Sequence, residues 1–145
     1  MMKIIVDSNI VFSALLNPQS NIGDIIFNSE GDLSFYTCEY LREEIRAHKD
    51  KLCKRAHYTD KEFDELEYLL YSKITFFSES TIPFEFWQKA AGFVRDIDMN
   101  DISFVTLSLF LNLKLWTGDK TLMKGLQQRG FENIITAQEI LDSRI

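Results

Sequence analysis

The sequence predicts an α/β fold in which a largely parallel sheet is covered by helices on both faces. Short apolar segments rich in β-branched residues alternate with longer segments whose apolar residues recur at helical spacing. This alternation is typical of parallel strands joined by helices. The 145 residues, 46% of them hydrophobic, are enough to form the core of one domain spanning residues 1–145. Only 6 Gly and 2 Pro are present, which favours tight connections over long linkers.

The first half of the chain begins with β-branched residues that predict a buried strand, and Asn17-Pro18 ends the helix that follows it. Thr37 is positioned to cap a third helix, whose apolar stripe includes Leu41 and Ile45. In order, the predicted elements are a strand at residues 3–6, helices at 8–16 and 21–29, a strand at 33–36 and a helix at about 38–50.

The second half contains two capping boxes, Thr59 with Glu62 and Thr136 with Glu139, and each predicts the start of a helix. The segment after Asp101 is apolar nearly all round, so its helix is expected to be buried. In order, the predicted elements are a helix from Thr59 to about residue 74, a strand at 75–77, helices at about 83–95 (with Pro83 at its first position) and 101–113, strands at 114–117 and 133–135, and a final helix after Thr136.

Charge and apolar patterning limit the classes of function. The net charge of −6 argues against broad, nonspecific coating of nucleic acid. It leaves a nuclease open, because several of the acids can be metal ligands. The apolar start is interrupted by Asp7 and Asn9, which is unlike a signal peptide, and no apolar run approaches the ~20 residues of a membrane span. We therefore expect a cytoplasmic protein with no membrane partner.

The two cysteines, Cys38 and Cys53, lack CxxC spacing and are expected to be reduced thiols. A zinc site is the alternative, since Cys53 and His57 are spaced to face one side of a helix. That site would also need Cys38 and His48, which do not form a compact motif with them.

Four carboxylates, Asp7, Glu44, Asp101 and Asp119, stand at or near the ends of predicted elements. Asp7 and Asp119 follow strands, and the carboxyl ends of parallel strands meet at one edge of a sheet. Each acid alone can be explained as a helix cap or a solvated side chain. Together they predict an oxygen-rich site for Mg²⁺ or Mn²⁺, the ions used to hydrolyse phosphodiesters.

Four segments resemble the motifs of the PIN-domain nucleases, in the same order and spacing. The first acid lies in Ile5-Val6-Asp7-Ser8-Asn9-Ile10 and the second in Leu41-Arg42-Glu43-Glu44-Ile45. The third lies in Asp96-Ile97-Asp98-Met99-Asn100-Asp101 before an apolar helix, and the fourth in Leu115-Trp116-Thr117-Gly118-Asp119-Lys120. Any one motif is weak evidence, but the four together cover about residues 4–140.

The resemblance implies a three-layer α/β/α sandwich and a metal-dependent endoribonuclease. Asp7, Glu44, Asp101 and Asp119 would hold Mg²⁺ or Mn²⁺, with Glu43 as the alternative to Glu44. Asn9 and Thr117 would orient ligands or the attacking water. Either Asp98 or Asp96 would assist Asp101. Many bacterial members of this size are VapC-type toxins held inactive by a small antitoxin, so we expect RNA and an antitoxin among the partners. The aromatic segment Phe84-Glu85-Phe86-Trp87 is compatible with a homodimer or antitoxin interface, and equally with core packing.

A local cluster of basic residues is the first candidate for RNA contact. Five Lys or Arg against one acid lie between residues 46 and 57, and the RNA-contact candidates are Lys49, Lys51, Lys54 and Arg55. Cations also gather at helix C-termini for reasons of the helix dipole. Lys120 and Lys124 follow Asp119 and are nearer the expected chemistry.

Two other functions are compatible with the same residues. One is a catalytically silent PIN-like module that only binds RNA or protein. The other is a phosphatase or phosphotransfer domain with Asp7 as nucleophile. The haloacid-dehalogenase pattern requires a second Asp where this chain has Asn9. The sequence leaves open the RNA target, the cleavage position, the number of metal ions and the oligomeric state.

Overall fold

A computed structural model describes residues 2–97 and 99–144, apart from the side chain of Asn100. Its centre is a sheet of five parallel strands in the order β3-β2-β1-β4-β5. The all-parallel sheet confirms the predicted fold class. The strands are β1 (Met2–Val6), β2 (Leu33–Cys38), β3 (Ile74–Phe77), β4 (Lys114–Trp116) and β5 (Ile134–Ile135).

Helices connect these strands in the described part of the chain. Short 3₁₀ turns occur at Glu79–Thr81 and Met99–Asp101. The helices are α1 (Ser8–Leu16), α2 (Asn21–Phe27), α3 (Tyr40–Ala56), α4 (Asp60–Ser72), α5 (Phe84–Val94), α6 (Ile102–Leu111), α7 (Lys120–Gln128) and α8 (Ala137–Ser143).

The helices form two packed groups, which make the outer layers of the α/β/α sandwich. In one group α6 crosses β1, β2 and β4, α5 packs on α6, and α7 contacts α5. In the other, α1 packs against α2 and α3, and α2 contacts α4 and α8. Parallel strands need such crossover helices, and both faces of the sheet are covered as a result.

The core explains why β1 and α6 occupy the middle of the fold. Ile4, Ile5 and Val6 are 0% exposed because β1 is central and covered on both faces. The apolar α6 buries Phe104, Val105 and Leu107, as its sequence predicts. Its polar Thr106 is also buried, and its hydroxyl donates to the Ile102 carbonyl at 2.7 Å. Within the described residues, no helix combines the length and hydrophobicity needed to cross a membrane.

Both predicted capping boxes are present, at Thr59–Glu62 and Thr136–Glu139. The predicted cap at Thr37 is wrong. Thr37 belongs to β2, and α3 begins at Tyr40 with no capping side chain. Strand pairing fixes Thr37, because its neighbour Tyr36 lies opposite Ile5.

Two helix boundaries also differ clearly from the predictions, and one helix was not predicted. Helix α3 continues to Ala56, six residues beyond its expected end. Pro83 lies at the N-cap position, one residue before α5, rather than inside it. Helix α7 was not predicted, because its described buried residues are only Leu122 and Leu126.

Candidate active site at the carboxyl end of the sheet

The strand order creates a topological switch point between β1 and β4. From β1 the chain runs to β2 on one side, and it later returns to β4 on the other side. Connections therefore diverge at the carboxyl ends of β1 and β4, where ligands bind in open α/β sheets. Val6 pairs with Trp116 in register, so Asp7 and Thr117 emerge side by side from the two strands.

Asp7 is a buried carboxylate, and only one of its oxygens accepts a hydrogen bond of standard geometry from the described residues. It is 1% exposed, and its Oδ1 accepts a hydrogen bond from the Ile10 backbone N–H at 3.0 Å as the N-cap of α1. Its Oδ2 is buried and has no hydrogen-bond partner of standard geometry among the described residues. A buried polar atom left this way is costly, and such atoms in native proteins often mark a bound ion or a catalytic role.

The surroundings of Asp7 favour its neutral form. Burial is the largest cause and raises the pKa of Asp7 from 3.8 to about 6. Hydrogen bonding from Thr117 and from the Ile10 backbone lowers the pKa, and the negative charge of Asp119 raises it. Asp7 and Asp119 are therefore close enough for their charges to interact.

Asp119 occupies a position after β4 that corresponds to that of Asp7 after β1. Its Oδ1 accepts from the Leu122 backbone N–H at 3.0 Å, so it is the N-cap of α7. Its own backbone N–H donates to the Thr117 hydroxyl at 3.1 Å. Thr117 is 2% exposed, and its side chain interacts with both acids.

A cavity of about 540 Å³ brings the other two acids together. Its lining includes Glu44 from α3, Asp101 at the start of α6, and Asn9. Asp101 is 7% exposed, yet its carboxylate does not cap α6, so the capping explanation fails for this acid. Glu43 also lines the cavity but is exposed, whereas Glu44 is half-buried.

Carboxylate oxygens are the ligands that hard divalent cations such as Mg²⁺ prefer. A cation at this site would supply the partner that the buried Asp7 Oδ2 lacks among the described residues. Among residues 2–97 and 99–144, no three His, Cys, Asp or Glu side chains come close enough to hold a metal by themselves. Mg²⁺ does not require such a cage, since it binds through one or two carboxylates together with waters and substrate phosphates.

The structure does not support the alternative of a zinc site. Cys38, His48, Cys53 and His57 are all described, and they form no metal-binding group. Both cysteines are free thiols, and burial raises the pKa of Cys38 to about 12. Cys38 is therefore a protonated core side chain at neutral pH.

The acids around the third motif differ in their surroundings. Asp96 has a left-handed backbone (φ 67°) and a 79% exposed side chain, which forms an ion pair with Arg129 at 3.8 Å. It lines a second cavity of about 610 Å³, with Lys120 and Lys124 and not with Glu44. Asp98 lies outside the described residues.

The predicted RNA-contact residues fall into three groups. Lys49 forms ion pairs with Asp64 at 3.2 Å and Asp60 at 4.0 Å, so it ties α3 to α4. A hydrogen bond with Asp64 raises the pKa of Lys49. The exposed side chains on the last turns of α3 are Lys51, Lys54 and Arg55, and Lys120 is exposed directly after Asp119.

Several residues on the cavity wall were not among the predicted site residues. They are Ser8, Phe12, Ala47 and His48. One signal in the sequence was available for His48, which follows Glu44 by four residues and so lies on the same side of a helix.

The comparisons with known proteins identify the family of the chain. The sequence matches the PIN domain family over residues 5–139, and the chain belongs to that family, whose members are generally nucleases. The predicted resemblance is therefore confirmed. No curated protein matches the sequence significantly.

A solved structure shares the fold. It is the crystal structure of VapBC2 from Rickettsia felis bound to a DNA fragment from their promoter, and one of its chains aligns with a TM-score of 0.65. The alignment covers 93% of this chain and 97% of that chain at 14% sequence identity. At that identity the likeness establishes a common architecture.

Proposed function

We propose that this PIN domain is a divalent-metal-dependent endoribonuclease that acts as the toxin of a toxin–antitoxin pair. The observation that carries the proposal is the buried Oδ2 of Asp7, which has no hydrogen-bond partner of standard geometry among the described residues. It lies at the switch point of the sheet, beside Thr117 and within the field of Asp119. A carboxylate placed this way destabilises the protein unless a cation joins it.

The four acids would hold Mg²⁺ or Mn²⁺ from four different elements of the fold. Asp7 and Asp119 are fixed by their capping bonds to Ile10 and Leu122, while Glu44 and Asp101 approach from the cavity wall. When bound, such a metal activates water and stabilises negative charge on a phosphodiester.

The neighbouring side chains would position the ligands and the substrate. The Thr117 hydroxyl accepts from the Asp119 backbone and lies next to Asp7, so it fixes both acids relative to each other. Asn9 lines the cavity directly after Asp7 and is available to orient the attacking water. Asp98 is proposed to assist Asp101 in preference to Asp96, because Asp96 pairs with Arg129.

RNA is the proposed substrate, and basic side chains around the acidic centre would bind its phosphates. Lys120 is next to Asp119, and Lys51, Lys54 and Arg55 form an exposed strip at the end of α3. Lys49 is the weakest member of the predicted set, since two carboxylates already pair with it. Cleavage of RNA would place the protein in the cytoplasm, with its substrate.

The toxin assignment is supported by the shared architecture with a chain of VapBC2. A small antitoxin and a second copy of the chain are the proposed protein partners. Exposed aromatic side chains, Phe84 at 73% and Tyr68 at 75%, are apolar surface available for such partners.

The deciding experiment incubates the purified protein with structured and unstructured RNA in Mg²⁺, Mn²⁺ or EDTA. We expect cleavage with either metal and none in EDTA. Asp7→Asn should abolish cleavage without altering the circular dichroism spectrum. Retained cleavage in that folded variant would refute the site assignment.

A matched pair of variants tests the second acid. Glu44→Gln should lose cleavage, whereas Glu43→Gln should retain most of it, because the exposed Glu43 is only a neighbour on the same helix. The opposite result would assign the ligand to Glu43. A folded protein that binds RNA but shows no response to metal would instead be the silent PIN-like module.

A further inference from the structure

The cavity of about 610 Å³ that begins beside Asp119 extends along one face of α7. Lys120, Lys124 and Gln128 line it from α7, and residues 96–97 line it from the opposite side. Lys120 directly follows Asp119, so this cavity continues from the carboxyl end of β4, where the acidic site lies. A chain-like ligand bound at the acids can therefore extend into it.

Close packing fixes the wall of this cavity. Ile97 lies so near Gly125 that a Cβ on the glycine would be 2.6 Å from the Ile97 Cδ1. Beyond the end of α7, Arg129 donates to the Phe93 carbonyl at 3.2 Å and pairs with Asp96 at 3.8 Å. Arg129 is therefore held by the fold, and its charge offsets that of the Asp96 carboxylate on the cavity wall.

The two lysines on this face of α7 carry charge that the fold does not use. Lys120 and Lys124 are exposed, and neither forms an ion pair with a residue in the ranges 2–97 and 99–144. Lys49, by contrast, already pairs with two carboxylates. The ammonium groups beside Asp119 are thus available to an anion from outside the chain.

The spacing of these side chains suits a nucleic-acid backbone. Lys120, Lys124 and Gln128 follow one another at four-residue intervals on one side of α7. Four helical residues rise by about 6 Å, which is close to the separation of neighbouring phosphates in an extended single strand. A small anion would contact one lysine at a time, whereas a strand can contact both in succession.

We propose that a single nucleic-acid strand extends from the acidic site along α7. Lys120 binds the phosphate next to the one held at the acids, Lys124 binds the phosphate after that, and the neutral Gln128 ends the charged row. This α7 track rests on the proposed function, because its phosphates are counted from the one at the acids. Phosphate contacts carry no base information and are common to RNA and DNA, so both strands should use the track.

The test measures how binding depends on salt, because each phosphate contact releases counterions. In an Asp7→Asn background at fixed, low Mg²⁺, fluorescence anisotropy would follow a mixed-sequence strand of about ten nucleotides while KCl is varied. Lys120→Gln and Lys124→Gln should each reduce the slope of log affinity against log salt concentration by about 0.7, the value for one single-strand phosphate. The same slope weakens binding about fivefold at about 0.1 M salt.

Two control variants separate this track from overall charge. Lys61→Gln removes the same charge from an exposed position on α4, which belongs to the other helical layer, and should leave the slope unchanged. Gln128→Ala removes a neutral side chain from the same face of α7. It should also leave the slope unchanged, because an amide releases no counterion.

Strand length tests the order of the two contacts. Unlabelled strands of increasing length would compete with the labelled strand in each variant. A strand anchored at the acids reaches Lys120 one nucleotide before it reaches Lys124. The loss of affinity in Lys120→Gln should therefore begin at a shorter length than the loss in Lys124→Gln, and losses that begin together or in the reverse order would overturn the track.

Other results would also overturn the track. They are unchanged slopes in both lysine variants, an equal change in Lys61→Gln, no binding of any strand, and an effect on RNA that is absent for DNA. If the slopes change as expected but the chain with Asp7 intact cleaves no RNA in Mg²⁺ or Mn²⁺, the nuclease proposal fails and the α7 track stands. If that chain cleaves RNA and the slopes do not change, the track fails and the nuclease proposal stands.

Discussion

The hydroxyl of Thr37 donates a hydrogen bond to the backbone carbonyl of Val6 at 2.9 Å. Thr37 is 0% exposed near the end of β2, and Val6 is the last residue of β1 before Asp7. Ile5 pairs with Tyr36, so Val6 and Thr37 continue the same register. This cross-strand bond fixes the end of the strand from which the most buried acid of the site extends.

Thr37→Val should therefore destabilise the protein, because valine keeps the shape of threonine but removes this donor. We expect a loss of about 1 kcal/mol in the free energy of unfolding, measured by urea denaturation. Thr106→Val is the matched control, since Thr106 is equally buried but donates to the Ile102 carbonyl of its own helix. A larger loss in Thr106→Val would show that the Val6 bond has no special structural value.

The contribution of Asp7 to the stability of the metal-free protein should fall as pH rises, because folding raises the pKa of Asp7. The pKa is about 6 in the folded protein against 3.8 without burial, so the folded state holds its proton more tightly. The stabilisation is complete below about pH 3.8 and is lost as pH rises through 6. At about 1.4 kcal/mol per pKa unit, ionised Asp7 costs the fold roughly 3 kcal/mol at neutral pH.

Asp7→Asn tests this cost directly, since the amide stays neutral. In EDTA at pH 7.5 the variant should be more stable than the natural sequence by about 1–3 kcal/mol, and the gap should close toward pH 4. Urea denaturation at the two pH values measures the difference, and Asp142→Asn, at an exposed position, should show no such trend. An Asp7→Asn variant less stable at pH 7.5 would contradict the expectation.

The sheet and its acids could be predicted because their signals are local. The β-branched residues of β1 and the capping boxes at Thr59 and Thr136 specify their elements within a few residues. The positions of Asp7 and Asp119 could be predicted from these strands, because the end of a parallel strand determines where the next side chains lie.

The rest of the site depends on packing that the sequence does not display. The end of α3 was missed because its last turns are mostly charged and bury only Leu52 and Cys53. His48 reaches the cavity because α3 packs on α1 with its ring against Phe12. The rotation of α3 about its axis is set by that contact between distant segments, which no local pattern encodes.

Gly23 and Gly92 should respond in opposite directions to alanine. A Cβ on Gly23 would lie 2.4 Å from the Pro18 carbonyl oxygen, a backbone atom that cannot move aside easily. A Cβ on Gly92 in α5 would meet nothing within 4 Å. Gly23→Ala should destabilise by about 1–3 kcal/mol, and Gly92→Ala should stabilise by up to about 1 kcal/mol. Urea midpoints would measure both, and equal shifts would refute the close contact at Pro18.

Lys120 and Lys124 should contribute more to RNA affinity than the basic strip at the end of α3. Both line the cavity that begins directly after Asp119, whereas Lys51 and Lys54 lie on the far turns of α3. Reversing Lys120 and Lys124 to Glu should raise KM roughly tenfold at low salt, and the effect should shrink as salt screens the charges. Reversing Lys51 and Lys54 should raise KM less.

The control for these two pairs is the reversal of Lys61 and Lys73, which has the same effect on net charge at exposed positions on and just after α4. It should leave KM within about twofold, because charges separated by more than a Debye length are largely screened. Steady-state cleavage at two salt concentrations measures all three pairs. If they raise KM equally, RNA responds to overall charge and the cavity beside Asp119 is not a phosphate-binding surface. If only the reversal of Lys51 and Lys54 raises KM, the RNA strand instead crosses the end of α3. The basic residues there would then bind RNA in addition to stabilising the helix dipole.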